Sequence, residues 1–592
     1  MASGIHLLRR ARRQLQIAVA RVRRNDHTRL LIAAVLVGAV AAFAAIVFMR
    51  AFDWVRRVTF GTATEAALID LAVVPWWLVV LVPTAGGLAI GLFVQYVMPG
   101  RRPLAVADAI EAVALQDGRM RLRDGVGAAV VSAASIGVGA SVGREGPMVH
   151  LGATLGAWIA DRLRLHRDLV KTLLGCGVAA GVAASFNAPI AGAFFALEVV
   201  LGQYVLKSFA PVVIASVTGT LVYRLHLGNT PAFVKPEYMI ASFWEFPAFA
   251  LLGLVSAAIA LIFMWSVLFA QDKALLLPVP PWVRTGIAGL LVGVIACFLP
   301  QILGVGYGAT NLVLNQILPL WLLLALIAAK IAATSVSIGG GFGGGVFSPS
   351  LFIGAMTGGA FGIIATGFFP DLSSGHGPYA LVGMGAVAAA VLNAPMSTIL
   401  IIFELTGDYA ITIAVMVAVV IANVITFQVV GGSFFTLQLR RRGVDLVGGQ
   451  ELRLLRRIGV NAIIDRVFAT VPPEAGLAEV RRKLMDAPHG ELFVVDGDGA
   501  LVGTITFHEL REAAFEVEPD ADTRADGLMR ADPPHLAVAE SLDRALAILE
   551  ERDEPHIPVV EDRASMRLVG LVHERDVVLE LKRALVRAQA PR

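Results

Sequence analysis

Long apolar runs broken by short polar stretches fill residues 30–438, and from Arg440 the pattern changes to mixed sequence opening RRRGVDLVGGQELRLLRR. The first run, LLIAAVLVGAVAAFAAIVFM at residues 30–49, has twenty apolar residues, the length of one bilayer crossing. Further runs follow it, so it predicts an uncleaved first membrane helix; a secretory signal has a shorter apolar core and a cleavage site. The pattern predicts a basic N-terminus at 1–29, a transmembrane domain at 30–439, a linker at 440–460 and two tail modules at 461–519 and 520–585.

Composition agrees with the pattern. Of 592 residues, 57% are hydrophobic and 16% charged, against about a quarter charged in soluble domains. Net charge of +3 decides little, but its placement does. The Arg-rich segment HLLRRARRQLQIAVARVRRNDHTR precedes the first run and predicts a cytoplasmic N-terminus by the positive-inside rule. Beside a membrane helix this outweighs a nucleic-acid-binding arm. Cys176 and Cys297 both lie in apolar runs without partner spacing, and read as small core residues.

The chain repeats itself. GVAASFNAPIAGAFFALEVVLG (181–202) and AVAAAVLNAPMSTILIIFELTGD (386–408) each carry Asn-Ala-Pro with a Glu eleven residues after the Asn: Asn187 to Glu198, Asn393 to Glu404. Upstream of them stand GREGPMVHLGA and GVFSPSLFIGA, in which Pro147 and Gly152, and Pro349 and Gly354, are five apart. Two matched markers in the same order imply two homologous membrane halves, a pattern common among transporters, whose substrate sites lie where broken helices point their N-termini at the midplane.

Both G-x-x-x-P motifs suit that geometry. Proline in the first turn of a helix forfeits no hydrogen bond, because the amides there have no intrahelical acceptor. Two such N-termini, each with free N–H donors and about half a positive charge, make an anion site from backbone alone. GGGFGGGVFSP (339–349) lacks the Lys-Ser/Thr of a phosphate loop. Glu145 in SVGREGPMVHLGA (141–153) is then intelligible. A charge at membrane depth costs roughly 2.5–3.5 kcal/mol or more, and a carboxylate at an anion-attracting terminus competes with a permeating anion for the site. Protonation would remove the competitor. The alternative is a structural ion pair with Arg144, which neighbouring positions on one helix disfavour.

These residues resemble the ClC family of chloride channels and chloride/proton exchangers, on GREGP (143–147), GVFSP (345–349), both NAP segments and a two-module tail. The resemblance implies an all-α polytopic membrane domain of two inverted repeats, a homodimer with one pathway per subunit, and Glu145 as the gate. It implies anion contacts from the amides of Val346 and Phe347 centrally, and from Arg144, Gly146 and Ser348 near the outer site. Chloride or another small anion is the implied cargo. Three positions depart from the family pattern: Leu104 stands in place of an anion-binding Ser, Phe435 in place of a Tyr, and Val199 in place of the internal proton-transfer acid. Two hydroxyl donors are thereby missing, each worth about 1–3 kcal/mol of anion binding. Glu198 remains, and its repeat mate Glu404 argues for a structural role common to both halves.

The tail resembles a CBS-domain pair, an α/β arrangement that commonly binds adenine nucleotides. The implied contacts are Thr506 in the first module and Asp576 in the second, with Glu509 and His573 at the complementary places. The motif is half matched, so a purely structural pair is the alternative. HELRE and HERD lack the H-E-x-x-H zinc spacing, and no metal site is visible. The membrane domain offers no nucleophile–base pair, so the chain is not read as an enzyme. The leading expectation is channel-like anion conduction not strictly coupled to protons. The alternatives are a chloride/proton antiporter and a nucleotide-sensing membrane protein without transport. A bacterial inner membrane with both termini cytoplasmic is the expected setting.

Overall fold

A computed structural model describes residues 26–62, 64–69, 74–229, 233, 238, 240, 242–444, 455–456, 458–510, 523–552 and 555–589. Most of the basic N-terminus and much of the expected linker lie outside the described residues. The chain forms two compact units, Met1–Asp445 and Leu446–Arg592.

The first unit is helical. Its first half runs α1 (Asp26–Phe60), α2 (Glu65–Ile69), α3 (Trp76–Val97), α4 (Val106–Leu115), α5 (Leu122–Gly137), α6 (Glu145–Arg162), α7 (Arg167–Phe186), α8 (Pro189–Phe195) and α9 (Leu206–Leu227). The second runs α10 (Phe246–Leu275), α11 (Pro281–Phe298), α12 (Tyr307–Leu314), α13 (Leu320–Gly340), α14 (Phe347–Phe368), α15 (His376–Leu392), α16 (Pro395–Thr406), α17 (Tyr409–Val430) and α18 (Phe434–Arg441). Setting aside α2 and α18, the halves match helix for helix. Equivalent elements also pack on each other across the repeat, α3 on α11 and α8 on α16. Among the described residues, nine helical stretches are long and apolar enough to cross a membrane. Leu81, Leu251, Phe269, Leu291 and Val424 are exposed on them, as a hydrocarbon solvent permits.

Helix α1, Asp26–Phe60, is 35 residues long and extends past the apolar run at 30–49. Charges in its last turns are paired: Arg56 bonds Asp53 and lies 3.8 Å from Glu65. Paired, they no longer carry the full desolvation cost.

Both NAP segments are helix breaks of one design. Asn187 and Asn393 end α7 and α15 in the left-handed conformation, at φ 57° and 51°, which Asn tolerates better than most side chains. The prolines then start α8 and α16 at their first helical position. Glu404 accepts from the amides of Ile190 (2.9 Å) and Ala191 (2.8 Å) at the start of α8. Glu198 accepts from Met396 (3.1 Å) and Ser397 (2.8 Å) at the start of α16. Each half thus caps the other's helix with a carboxylate, which gives this Glu pair its shared structural place.

In the tail, β1 (Ala469–Val471), β2 (Glu491–Val495), β3 (Leu501–Thr506) and β4 (Arg530–Ala531) form one sheet in that order. β5 (Leu536–Ala537), β6 (His556–Val560) and β7 (Leu568–His573) form a second. Helices α19 (Leu477–Asp486), α20 (Ala525–Leu528), α21 (Leu542–Arg552) and α22 (Glu574–Gln589) complete the two modules. In each, a parallel pair is followed by an antiparallel hairpin: β1–β2 then β2–β3, β5–β6 then β6–β7. Phe493 and Leu501 of one module bury against Val560 and Leu571 of the other.

Candidate functional site

The two glycine motifs meet. Gly143 and Gly345 form an antiparallel bridge, N–H to carbonyl in both directions at 2.7 and 2.9 Å. An antiparallel meeting of equivalent segments is what inverted halves produce. From it, α6 begins at Glu145 and α14 at Phe347, with Arg144 and Val346 as their caps. Glycine lets the two motifs approach this closely: a Cβ on Gly345 would lie 3.1 Å from the Gly146 amide nitrogen, and one on Gly146 3.1 Å from the Gly345 Cα. Pro147 and Pro349 both fall in the first turn, where their missing N–H costs nothing.

Glu145 is 1% exposed. Its Oε2 accepts from the Ser348 amide at 3.3 Å and from the Ser348 hydroxyl. Its Oε1 accepts from the Tyr307 hydroxyl at 3.0 Å. The carboxylate of one half therefore rests on the helix N-terminus of the other. Arg144 Nε lies 3.7 Å from Oε1, which corrects the expectation that the neighbours cannot face each other. That expectation assumed both on one helix, whereas Arg144 precedes α6. The guanidinium also donates to the Ser185 carbonyl at 2.8 Å and stacks 4.6 Å from the centre of the Tyr307 ring.

Beside this carboxylate lies a cavity of about 10 Å³, room for about one water-sized particle. Glu145, Gly146, Val346, Phe347 and Phe435 line it, together with Val106, Val149, Phe195 and Gly345. Five of the sequence-predicted positions are thus brought together, and Arg144 and Ser348 reach the same place through the Glu145 carboxylate. Leu104 is not among them. It lines a separate cleft of about 960 Å³ with Arg102, Asp108 and the buried His150. Nearby, Asp108 closes the amide of Ala105 at 2.8 Å and pairs with Arg102 at 2.5 Å, so the start of α4 is capped from within the chain. Val199 is half-buried in a π-helical turn, Ala196–Leu201, that α16 lacks.

Tyr307 is the residue that sequence reasoning missed. Glu65 fixes its backbone, accepting from the amides of Val305 (3.2 Å), Tyr307 (2.8 Å) and Gly308 (3.3 Å) at the start of α12. Buried Lys330 holds the preceding turn by donating to the carbonyls of Ile302 (2.9 Å) and Gly304 (3.0 Å). Gly306 is needed there, at φ +96° with Phe352 2.6 Å from where a Cβ would stand. Tyr307 and Ser348 together place two hydroxyls on Glu145. Nothing in the local sequence GYGATN marks it for this role.

In the tail, Thr506 ends β3, and its amide and hydroxyl both bond Glu509 Oε2. Burial pushes the Glu509 carboxyl up, but these bonds outweigh it and hold it below the usual carboxylate value. Asp576 lies in the first turn of α22, 3.9 Å from Arg575. Where no metal site was visible in the sequence, His489, His556 and His573 come together, with their ligand-type atoms within 4.8 Å of one another.

A family model described as voltage gated chloride channel matches residues 86–426, and a CBS domain model matches 460–516 and 525–583. A Ralstonia nicotianae protein named for its likeness to the chloride channel ClcB is 33% identical over 419 residues, 69% of this chain and 96% of that protein. The H(+)/Cl(-) exchange transporter ClcA of Vibrio cholerae is 32% identical over 315 residues, 52% of this chain and 67% of the relative. The crystal structure of a slow cyanobacterial Cl-/H+ antiporter superposes with a TM-score of 0.63 at 21% identity, over 70% of this chain and 98% of that one. That last likeness establishes the shared fold.

Proposed function

The chain belongs to the voltage-gated chloride channel family and carries a C-terminal CBS pair, and we propose that it conducts chloride across the membrane through a pathway gated by Glu145, without obligatory proton exchange. One observation carries the reading. A buried carboxylate sits on the N-terminus of α14, next to a cavity of about one particle walled by the amide-bearing starts of both motif helices. An anion and that carboxylate compete for the same donors, so protonation of Glu145 or its displacement lets the anion through. The same reading includes a homodimer with one pathway per subunit. The basic N-terminal segment supports cytoplasmic termini, as in a bacterial inner membrane.

The uncoupled reading rests on Val199 and Phe435. A proton crossing the cytoplasmic half needs a titratable carrier, and Val199 is none; Glu198 is engaged in capping α16. Phe435 puts a ring without a hydroxyl against the cavity. One observation favours the antiporter instead. His150 stands five residues beyond Glu145 on α6, facing the large cleft, and relatives bear exchanger names as well as channel names. Reversal potentials in a planar bilayer under a proton gradient separate the two. Conduction without coupling reverses at the chloride equilibrium potential whatever the pH difference. A steady shift with the proton gradient would establish exchange, and absence of chloride flux would remove both readings.

A further inference from the structure

Three histidines far apart in sequence, at 489, 556 and 573, converge between the two tail modules. His556 opens β6 and His573 closes β7, directly opposite each other in the hairpin register. His489 comes from the other module, two residues before β2. The ring centroids stand 5.5 Å (489–556), 4.4 Å (489–573) and 4.7 Å (556–573) apart. Carboxylates flank the group on two sides. Asp465 Oδ2 lies 3.4 Å from both His489 Nε2 and His573 Nε2, and Glu491 Oε2 lies 3.4 Å from His556 Nδ1.

We propose that His489, His556 and His573 form a binding site for a borderline divalent transition ion of the zinc type, one that ties the two CBS modules together. Three imidazoles are a common zinc ligand set. Tetrahedral ligands at 2.0–2.1 Å from the ion stand about 3.3 Å apart, so closure from within 4.8 Å needs side-chain rotations of about 1 Å each. Asp465 is placed to supply a fourth oxygen or to orient two of the rings. Glu491 Oε2, 3.4 Å from His556 Nδ1, is placed as the outer carboxylate that metal-bound histidines usually have. The histidine side chains retain 21%, 17% and 17% of their surface, which gives the ion a way in. The modules already share the core of Phe493, Leu501, Val560 and Leu571. An ion with ligands from both would add a second tie. The registers underline its origin: Glu491 pairs with Thr506 in the first hairpin as His556 pairs with His573 in the second. The strand-end position that is Thr506 in one module is therefore a metal-type ligand in the other.

The test is Zn2+ binding by the purified full-length protein, stripped with a chelator and titrated against a chromophoric competitor. The expected result is one tightly held Zn2+ per chain that disappears in His556→Asn and in His573→Asn, each lowering affinity by about 100-fold or more. Asp465→Asn should lower it by about 10–100-fold, the range for an outer partner. His508→Asn, an exposed histidine elsewhere in the tail, should leave it unchanged. Zinc-edge X-ray absorption of the wild type gives a readout that needs no variant: imidazole scattering with Zn–N at about 2.0–2.1 Å. Oxygen-only ligation, no saturable uptake, or uptake indifferent to His556→Asn would each overturn the proposal.

Discussion

Replacing Tyr307 by Phe removes one oxygen from the pathway while keeping the ring that stacks on Arg144. The lost hydroxyl donates to Glu145 Oε1 at 3.0 Å, and a hydrogen bond to a charged acceptor is worth about 1.5–3 kcal/mol. It stabilises the carboxylate in its seated, ionised form and does less for the neutral acid. Without it, the seated form loses that stabilisation, so a competing chloride displaces the carboxylate more readily. Each step of about 1.4 kcal/mol is tenfold in an equilibrium, so chloride flux at a pH where the wild-type gate stays seated should rise by about ten- to a hundredfold. Radiolabelled chloride uptake into liposomes at one fixed neutral pH reads this directly. Placed on Glu145→Gln, the same substitution should shift nothing, because the charged acceptor is already gone. Flux that stays put or falls would refute the reasoning. A rise that persists in the Gln background would mean that Tyr307 acts on something other than Glu145.

Glu145→Gln alone should mimic the protonated gate, giving flux that no longer rises on acidification in the same uptake assay. Wild-type flux should rise, and an unchanged pH response in the variant would remove Glu145 from the gate. Glu198→Gln and Glu404→Gln should each lower the thermal unfolding midpoint in detergent, by similar amounts, since each loses two amide bonds to a charged group worth about 1.5–3 kcal/mol apiece at most. A loss in one and none in the other would contradict the reciprocal capping. Thr506→Val should weaken the tail in denaturant melts at neutral pH. The Glu509 carboxyl is held low in the folded state, so its contribution is present above the unfolded glutamate value and fades as pH falls through the lower folded one. The difference between variant and wild type should therefore shrink below about pH 4, and a constant difference would exclude Glu509 as its source.

What the sequence made legible were features repeated or written in one stretch of chain. The matched G-x-x-x-P and NAP segments disclosed two halves, and the prolines located the starts of α6, α8, α14 and α16. The Glu198 and Glu404 pair could be read as structural because each appeared at the same offset from its Asn. Contacts made across long separations were not legible. Tyr307 reaches Glu145 from 162 positions away, and nothing in GYGATN distinguishes it from a packing tyrosine. The Arg144–Glu145 pair was misjudged because a helix geometry was applied one residue before the helix starts. The three tail histidines share no motif; two meet through strand register and the third through the packing of one module on another.

Symmetry explains where the chemistry concentrates. Most of the membrane unit obeys the repeat: helix matches helix, Asn187 matches Asn393 in a left-handed turn, and the capping glutamates serve each other's helices. A strictly symmetric anion site would present two equal N-termini and bind its ion without a switch. The repeat is broken at three places near the cavity. Glu145 in α6 faces Phe347 at the matching position of α14, so only one half contributes a carboxylate. Tyr307 begins α12, while Val106 begins the equivalent α4, so only one half supplies a hydroxyl to that carboxylate. The π-helical turn at Ala196–Leu201 follows α8, while α16 stays regular. Symmetry brings two donor-rich helix starts together at low cost, because the same short motif solves the packing twice. Departure from symmetry then makes the site conditional, since a single titratable group, held by a donor from the other half, decides whether those amides are free for an anion.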